Sequence, residues 1–184
     1  MPASSYPYWL SSLIGSQKTA DGYRELTGDA KTFFYGFPNT VPIYSAVTSL
    51  SEGFAPFNET QQQNAIAALN YIETITALSF IQTNEVLKSN TILFSRNRQK
   101  EDSNGYAYLP ELHPLGSDIY LAVNPNNETM GIGSLGALTL IHEIGHALGL
   151  KHPHEAEEGI EDSSVLPTNE DRVANTVMSY ADAT

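Results

Sequence analysis

The sequence predicts an α+β fold: several short strands, a long amphipathic helix, and a second helix that carries the chemistry. Three observations point there. Residues 58–78 place Ala65, Ile66, Ala68, Leu69, Ile72 and Ile75 at helical spacing, which makes one apolar stripe. Residues 131–149 hold a second helical pattern between Gly133–Ser134 and Gly149. Around both lie short aromatic or β-branched runs cut by Pro, Gly and Asn, as strands and turns require.

The elements follow in order. Pro2, Pro7, Gly15, Gly22 and Gly28 break up the first thirty residues, leaving room for a short helix over 8–14. KTFFYGF at 31–37 reads as a strand ended by Pro38 and Asn39, and a loop with Pro42, Gly53 and Pro56 follows. Asn58 can cap the long helix, with Gln61 completing a capping-box pair. Strands are expected at 80–81 and 91–94, a polar loop at 96–104, and strands at 105–109 and 117–123. Ser134 caps the second helix, Leu138, Ile141, Ala147 and Leu148 face the core, and Gly149 ends it. An acidic, irregular stretch runs over 154–170, and 176–180 is the last readable element. No internal repeat occurs.

The 184 residues suffice for one domain with its own core. Hydrophobic residues make up 41%, which is globular, and the polar surface leans on Asn, Gln, Ser and Thr because only 16% are charged. A net charge of −12 and a pI near 4.6 exclude the basic footprint of a nucleic-acid binder or a polybasic membrane patch. Without cysteine there are no disulfides, thiolate metal sites or thiol nucleophiles. No run approaches ~18 apolar residues, so no transmembrane helix is expected. The apolar stretch at 8–14 is too short, and lacks the basic start, for a signal peptide.

The segment from His142 to Pro153, HEIGHALGLKHP, concentrates the chemistry. On a helix His142 and His146 lie one turn apart on one face and can grip one Zn²⁺. A third ligand cannot come from the same turn. Gly149 can bend the chain so that His152 returns to the metal. Three neutral ligands leave a position open for water, and Glu143 is placed to take that water's proton. The chance of this eleven-residue pattern arising in a chain of this composition is on the order of 2 in 10⁵. A helix with surface histidines, or a purely structural zinc, is the weaker reading. His113 and His154 read as loop residues, and Glu155, Glu157, Glu158, Glu161 and Asp162 as a solvated acidic loop without the alternation of a calcium site.

The extended motif resembles the metzincin clan of zinc endopeptidases, and Thr176-Val-Met178-Ser-Tyr180 resembles that clan's methionine turn, the Met-turn. Pro153 and the M-S-Y triplet are similar to the serralysin family of secreted bacterial proteases, as is GYAYLP at 105–110 to its substrate-binding edge strand. The likeness runs from about residue 8 to the end and is most specific at 136–153 and 176–180. It implies a metzincin (zincin-like) catalytic domain over 1–184, with a twisted mixed β-sheet, a backing helix at 58–78 and an active-site helix at about 134–149, an upper sheet part to about 149, a lower irregular part from about 150, and the Met-turn below the zinc. It implies zinc on His142, His146, His152 and the phenol of Tyr180. Glu143 would be the general base and then acid, and Tyr180 would swing off the metal to donate to the oxyanion. Met178 would pack under the histidines, and Gly105, Tyr106, Ala107, Tyr108 and Leu109 would pair with substrate.

The function so implied is a secreted, extracellular, monomeric zinc endopeptidase. It would act on proteins and peptides, be open to a proteinaceous inhibitor, and have no nucleic-acid or membrane partner. Such proteases continue with a further helix and a calcium-binding β-roll. No GGxGxDxxx repeat occurs in this sequence, so the expectation is a catalytic domain lacking those parts, whether as a fragment, a minimal protease or a member that no longer cuts, with Ca²⁺ only where a roll exists. The alternative is a module that holds zinc and binds peptides without cutting them.

Overall fold

The structure, a computed structural model, describes residues 7–14, 27, 31–45, 48–88, 90–156 and 164–181. In chain order the elements are α1 (Tyr8–Ser11), β1 (Thr32–Gly36), α2 (Thr48–Ser51), β2 (Ala55–Pro56), α3 (Glu59–Ile75), β3 (Ser79–Gln82), β4 (Thr91–Asn97), β5 (Gly105–Ala107), β6 (Ile119–Ala122) and α4 (Leu135–Ala147). Pro2, Gly15, Gly22, Gly28, Glu157, Glu158, Glu161 and Asp162, singled out in the sequence, lie outside the described residues.

Local chemistry starts the long helix as expected. The Gln61 N–H donates to Asn58 Oδ1 at 2.9 Å, and the Asn58 N–H donates to Gln61 Oε1 at 2.7 Å, so two otherwise unpaired amides satisfy each other's side chains. The helix stops at Ile75 rather than at 78. Thr76 takes an extended conformation and its hydroxyl donates to the Ile72 carbonyl at 2.8 Å, closing the last turn. Ile75 is consequently 63% exposed, whereas Ala65 and Leu69 are fully buried.

The sheet order is β3-β1-β4-β6-β5, with β2 also paired to β4. The β3–β1, β1–β4 and β4–β6 pairs are parallel, and β2 and β5 run antiparallel to their partners. The sheet is therefore mixed. β4 lies at its centre and is buried along all seven residues. Arg96 and Asn97, expected in a polar loop, belong to this strand because each brings its own partners. Arg96 reaches Glu128 at 3.2 Å, and Asn97 Nδ2 donates to the Tyr106 hydroxyl at 2.8 Å. The segment expected as a loop around Pro42 and Pro56 also holds α2 and β2. β5 covers only Gly105–Ala107, so Tyr108 and Leu109 lie beyond it; Pro110 offers no N–H and Ser117 turns the chain with φ +70°.

Phe33, Phe57, Ile92, Phe94, Ile119 and Leu121 form the sheet side of the core. α3 adds Ala65 and Leu69, and α4 adds Leu140, Ile144 and Ala147. Leu148 packs against this cluster as expected. Leu138 and Ile141 do not: Ile141 is exposed and Leu138 lines a cleft. No helix among the described residues is long and apolar enough to cross a membrane.

A buried acid ties the sheet together. Asp118 accepts the Leu93 N–H at 3.1 Å and the Tyr44 hydroxyl at 2.9 Å. Burial pushes its carboxyl well above the usual carboxylate range, against the pull of those two donors. The folded chain therefore holds this proton more tightly than the unfolded chain. That contribution is full below about pH 4 and is lost as pH rises through the folded-state value. Asp118→Ala should cost about 2–4 kcal/mol by orphaning two donors, whereas Asp118→Asn should flatten the decline of stability with rising pH. Urea unfolding across pH checks both.

Candidate metal centre

Ser134 starts α4 by accepting the Ala137 N–H at 3.1 Å. The helix then carries His142, Glu143 and His146, and it ends in a Schellman turn. The Gly149 N–H donates to His146 O at 2.8 Å and the Leu150 N–H to Gly145 O at 2.9 Å, with Gly149 at φ +97°. The chain reverses there. Leu150 bridges to Ile14, and the Lys151 N–H donates to Leu13 O at 2.9 Å. The buried Lys151 ammonium donates to the carbonyls of Glu155 at 2.7 Å and Ser164 at 3.2 Å, which holds the returning loop.

This reversal brings three imidazoles together. The Nε2 atoms are 3.1 Å apart between His142 and His146, 3.1 Å between His142 and His152, and 3.0 Å between His146 and His152. His142 Nδ1 lies 2.7 Å from Val177 O, and His146 Nδ1 lies 2.8 Å from Leu150 O. A carbonyl only accepts, so both Nδ1 atoms carry hydrogen and both Nε2 atoms present lone pairs. Facing lone pairs repel unless a cation lies among them. Ligands about 2.0–2.1 Å from one tetrahedral zinc stand about 3.3–3.4 Å apart, close to the separations found. The donor set therefore fits such an ion. Burial also lowers the pKa of His142 and takes that of His146 down to about 4, which favours neutral, ligating rings.

The other expected site residues gather around this cluster. The Tyr180 phenol oxygen is 2.5 Å from His152 Nε2, and its ring stacks on His142 at 5.2 Å. Burial and nearby carboxylates push this phenol up to about 12, so it is a proton donor at neutral pH. Met178 is fully buried with its sulfur against Gly145, where any Cβ would clash with it. Gly145 is thus a close-packing position that the spacing motif leaves open.

Glu143 is buried, and burial raises its carboxyl to about 8. Its Oε2 has no hydrogen-bond partner among the described residues. It faces β5, and a Cβ on Gly105 would lie 3.1 Å from Glu143 Oε1.

Two clefts, of about 520 and 290 Å³, both open onto Gly105, Glu143 and Tyr180. Tyr106, Ala107 and Leu109 line the smaller one, while Tyr108 lines neither and packs on Tyr120.

His154 is exposed in a loop, as expected; its ring lies parallel to that of His152 at 5.3 Å and Nδ1 is 3.2 Å from Asp171 Oδ2. Glu155 is exposed too, and in addition its carboxylate is 2.9 Å from His152 Nδ1. Its position three residues past His152 is the one sequence signal that would have separated it from its acidic neighbours. His113 stays in an exposed loop beside Tyr44.

Gly145→Ala should destabilise the chain by about 1–3 kcal/mol through overpacking against Met178, although alanine favours a helix interior by about 1 kcal/mol. Chemical unfolding of the variant against the parent chain checks the sign.

No family model matches the chain. It is 31% identical over 157 residues to a serralysin of Photorhabdus luminescens, covering 81% of this chain and 31% of that protein. It is 33% identical over 146 residues to a serralysin of Proteus mirabilis, covering 68% and 29%. To metallopeptidase AprA of Pseudomonas marginalis it is 26% identical over 183 residues, covering 95% and 38%. The chain spans about a third of the length of these relatives. Over most of its own length it is similar to serralysin-type metalloproteases, and its α+β structure and histidine triad are consistent with that likeness.

Proposed function

We propose that this chain is the catalytic part of a secreted, serralysin-type zinc endopeptidase that hydrolyses peptide bonds in proteins. The observation that carries this reading is the triangle of Nε2 atoms, 3.0–3.1 Å on a side, with the buried Glu143 on the helix turn between two of its members. His142, His146 and His152 would hold the zinc, with Tyr180 as an exchangeable fourth ligand. Bound there, zinc supplies Lewis acidity that polarises a carbonyl and acidifies a water.

The chain's own residues do the rest. Glu143 takes a proton from the attacking water and passes it to the leaving nitrogen, and its buried place on α4 beside the histidines suits both transfers. The Tyr180 hydroxyl donates to the oxygen that becomes negative as water adds. β5 ends the sheet, so its free edge can pair with an extended peptide through main-chain hydrogen bonds. Gly105, lacking a side chain, lets Glu143 lie close against that strand. Met178 and Gly149 support the histidines. The cleft lies between the sheet part, to about residue 149, and the irregular part after it. Proteins and peptides outside the cell are the proposed substrates, and the acting form is a monomer.

The purified chain should bind about one zinc and cleave casein or a fluorogenic peptide. A chelator should stop cleavage and added zinc restore it. Glu143→Gln should keep its zinc and lose about 10²–10⁴ in kcat. Undiminished turnover by that variant would remove Glu143 from its role. Tyr180→Phe should keep zinc and lose about 10²–10³ in kcat with little change in KM. Zinc without cleavage in the parent chain would favour the peptide-holding alternative.

A further inference from the structure

Each imidazole of the trio has a second ring nitrogen that needs a partner. His142 and His146 use backbone carbonyls, Val177 O at 2.7 Å and Leu150 O at 2.8 Å. His152 does not. Its Nδ1 is buried and makes no aligned hydrogen bond among the described residues, yet Glu155 Oε1 lies 2.9 Å away. A metal-ligating histidine ordinarily donates its other N–H to a carbonyl or carboxylate, which fixes the tautomer and strengthens the ligand.

We propose that Glu155 is the positioning carboxylate of the third histidine, accepting the His152 Nδ1–H so that the Nε2 lone pair faces the metal. The inference rests on the metal-centre reading above and deepens it. Glu155 is held in place by its backbone, not by its side chain. Its carbonyl accepts from Lys151 Nζ at 2.7 Å, and its N–H donates to His152 O at 3.3 Å. That leaves the carboxylate, on a half-exposed side chain, within reach of the ring. The far face of His152 is braced by His154, whose ring is nearly parallel, at 6°, and is anchored to Asp171. His152, His154 and Glu155 also group as three metal-ligating side chains. The carboxylate is 2.9 Å from His152 but 4.0 Å from His154 Nε2, so its engagement with His152 is the closer one.

The test compares the full chain with Glu155→Ala and Glu155→Gln, which leave the backbone contacts of the loop intact. Two quantities are read: the His152 tautomer in the metal-free chain, by long-range ¹⁵N–¹H NMR, and the zinc Kd, by competition with a fluorescent chelator. The expected result is an Nδ1–H tautomer in the parent and loss of that preference in Glu155→Ala. The zinc Kd of Glu155→Ala should be about 10–100-fold weaker. Glu155→Gln, whose amide oxygen still accepts, should recover part of both. An unchanged tautomer with unchanged affinity in Glu155→Ala overturns the proposal. So does a second zinc in the parent chain that Glu155→Ala loses, which would make the carboxylate a ligand instead. A parent chain that takes up no zinc would defeat the metal-centre reading, and the tautomer would still decide whether Glu155 holds the ring.

Discussion

Gly149 leaves α4 with φ at +97°, and the whole cluster of imidazoles depends on that single backbone conformation. Two histidines one turn apart on a helix cannot close a three-ligand site alone. The third must arrive from a chain that has doubled back within a few residues. A left-handed residue, capped by the paired N–H groups of Gly149 and Leu150, does this while satisfying the last carbonyls of the helix. A side chain with a Cβ would strain the same turn. The reversed segment is then pinned from outside by Leu13 and Ile14 and from within by the Lys151 ammonium.

Around that turn, polar groups are buried in a way that assigns their chemistry. Carbonyls at Val177 and Leu150 orient two imidazoles, so the lone pairs converge rather than scatter. Glu143 is buried on the side of α4 that faces Gly105 of β5, and desolvation alone accounts for its raised pKa. Its Oε2, beside two open clefts, has no partner among the described residues, and leaving a buried polar oxygen unpaired carries a cost.

The sheet sets the distance between this helix and the strand beside it. β5 pairs with β6, and Tyr106 stacks on Tyr120 at 5.2 Å, which registers the end strand against its neighbour. The absence of side chains at Gly105 and Gly145 then allows two close approaches, one by Glu143 and one by Met178. Small residues are used here as spacers, and enlarging either would push on a residue of the site.

Much of this was legible in the residues themselves, because the signals are local. The Asn58–Gln61 box, the Ser134 cap, the Gly149 stop and the histidine spacing each involve atoms a few residues apart, and hydrogen bonding over that range follows from residue type. The α+β class followed from the same periodicities. Other features were decided only by partners far along the chain. Arg96 and Asn97 stay in β4 because Glu128 and Tyr106 receive them, and Leu140 and Ile144 rather than Leu138 and Ile141 turn inward because of how α4 meets the sheet. Glu155 is set apart from the other acids of its run by standing three residues past His152, but its carboxylate comes to 2.9 Å from that ring only through the folding of the loop after Gly149. Sequence determined the histidine spacing and the turns; the tertiary structure decided which charges and spacers surround them, since those contacts join segments that no local pattern connects.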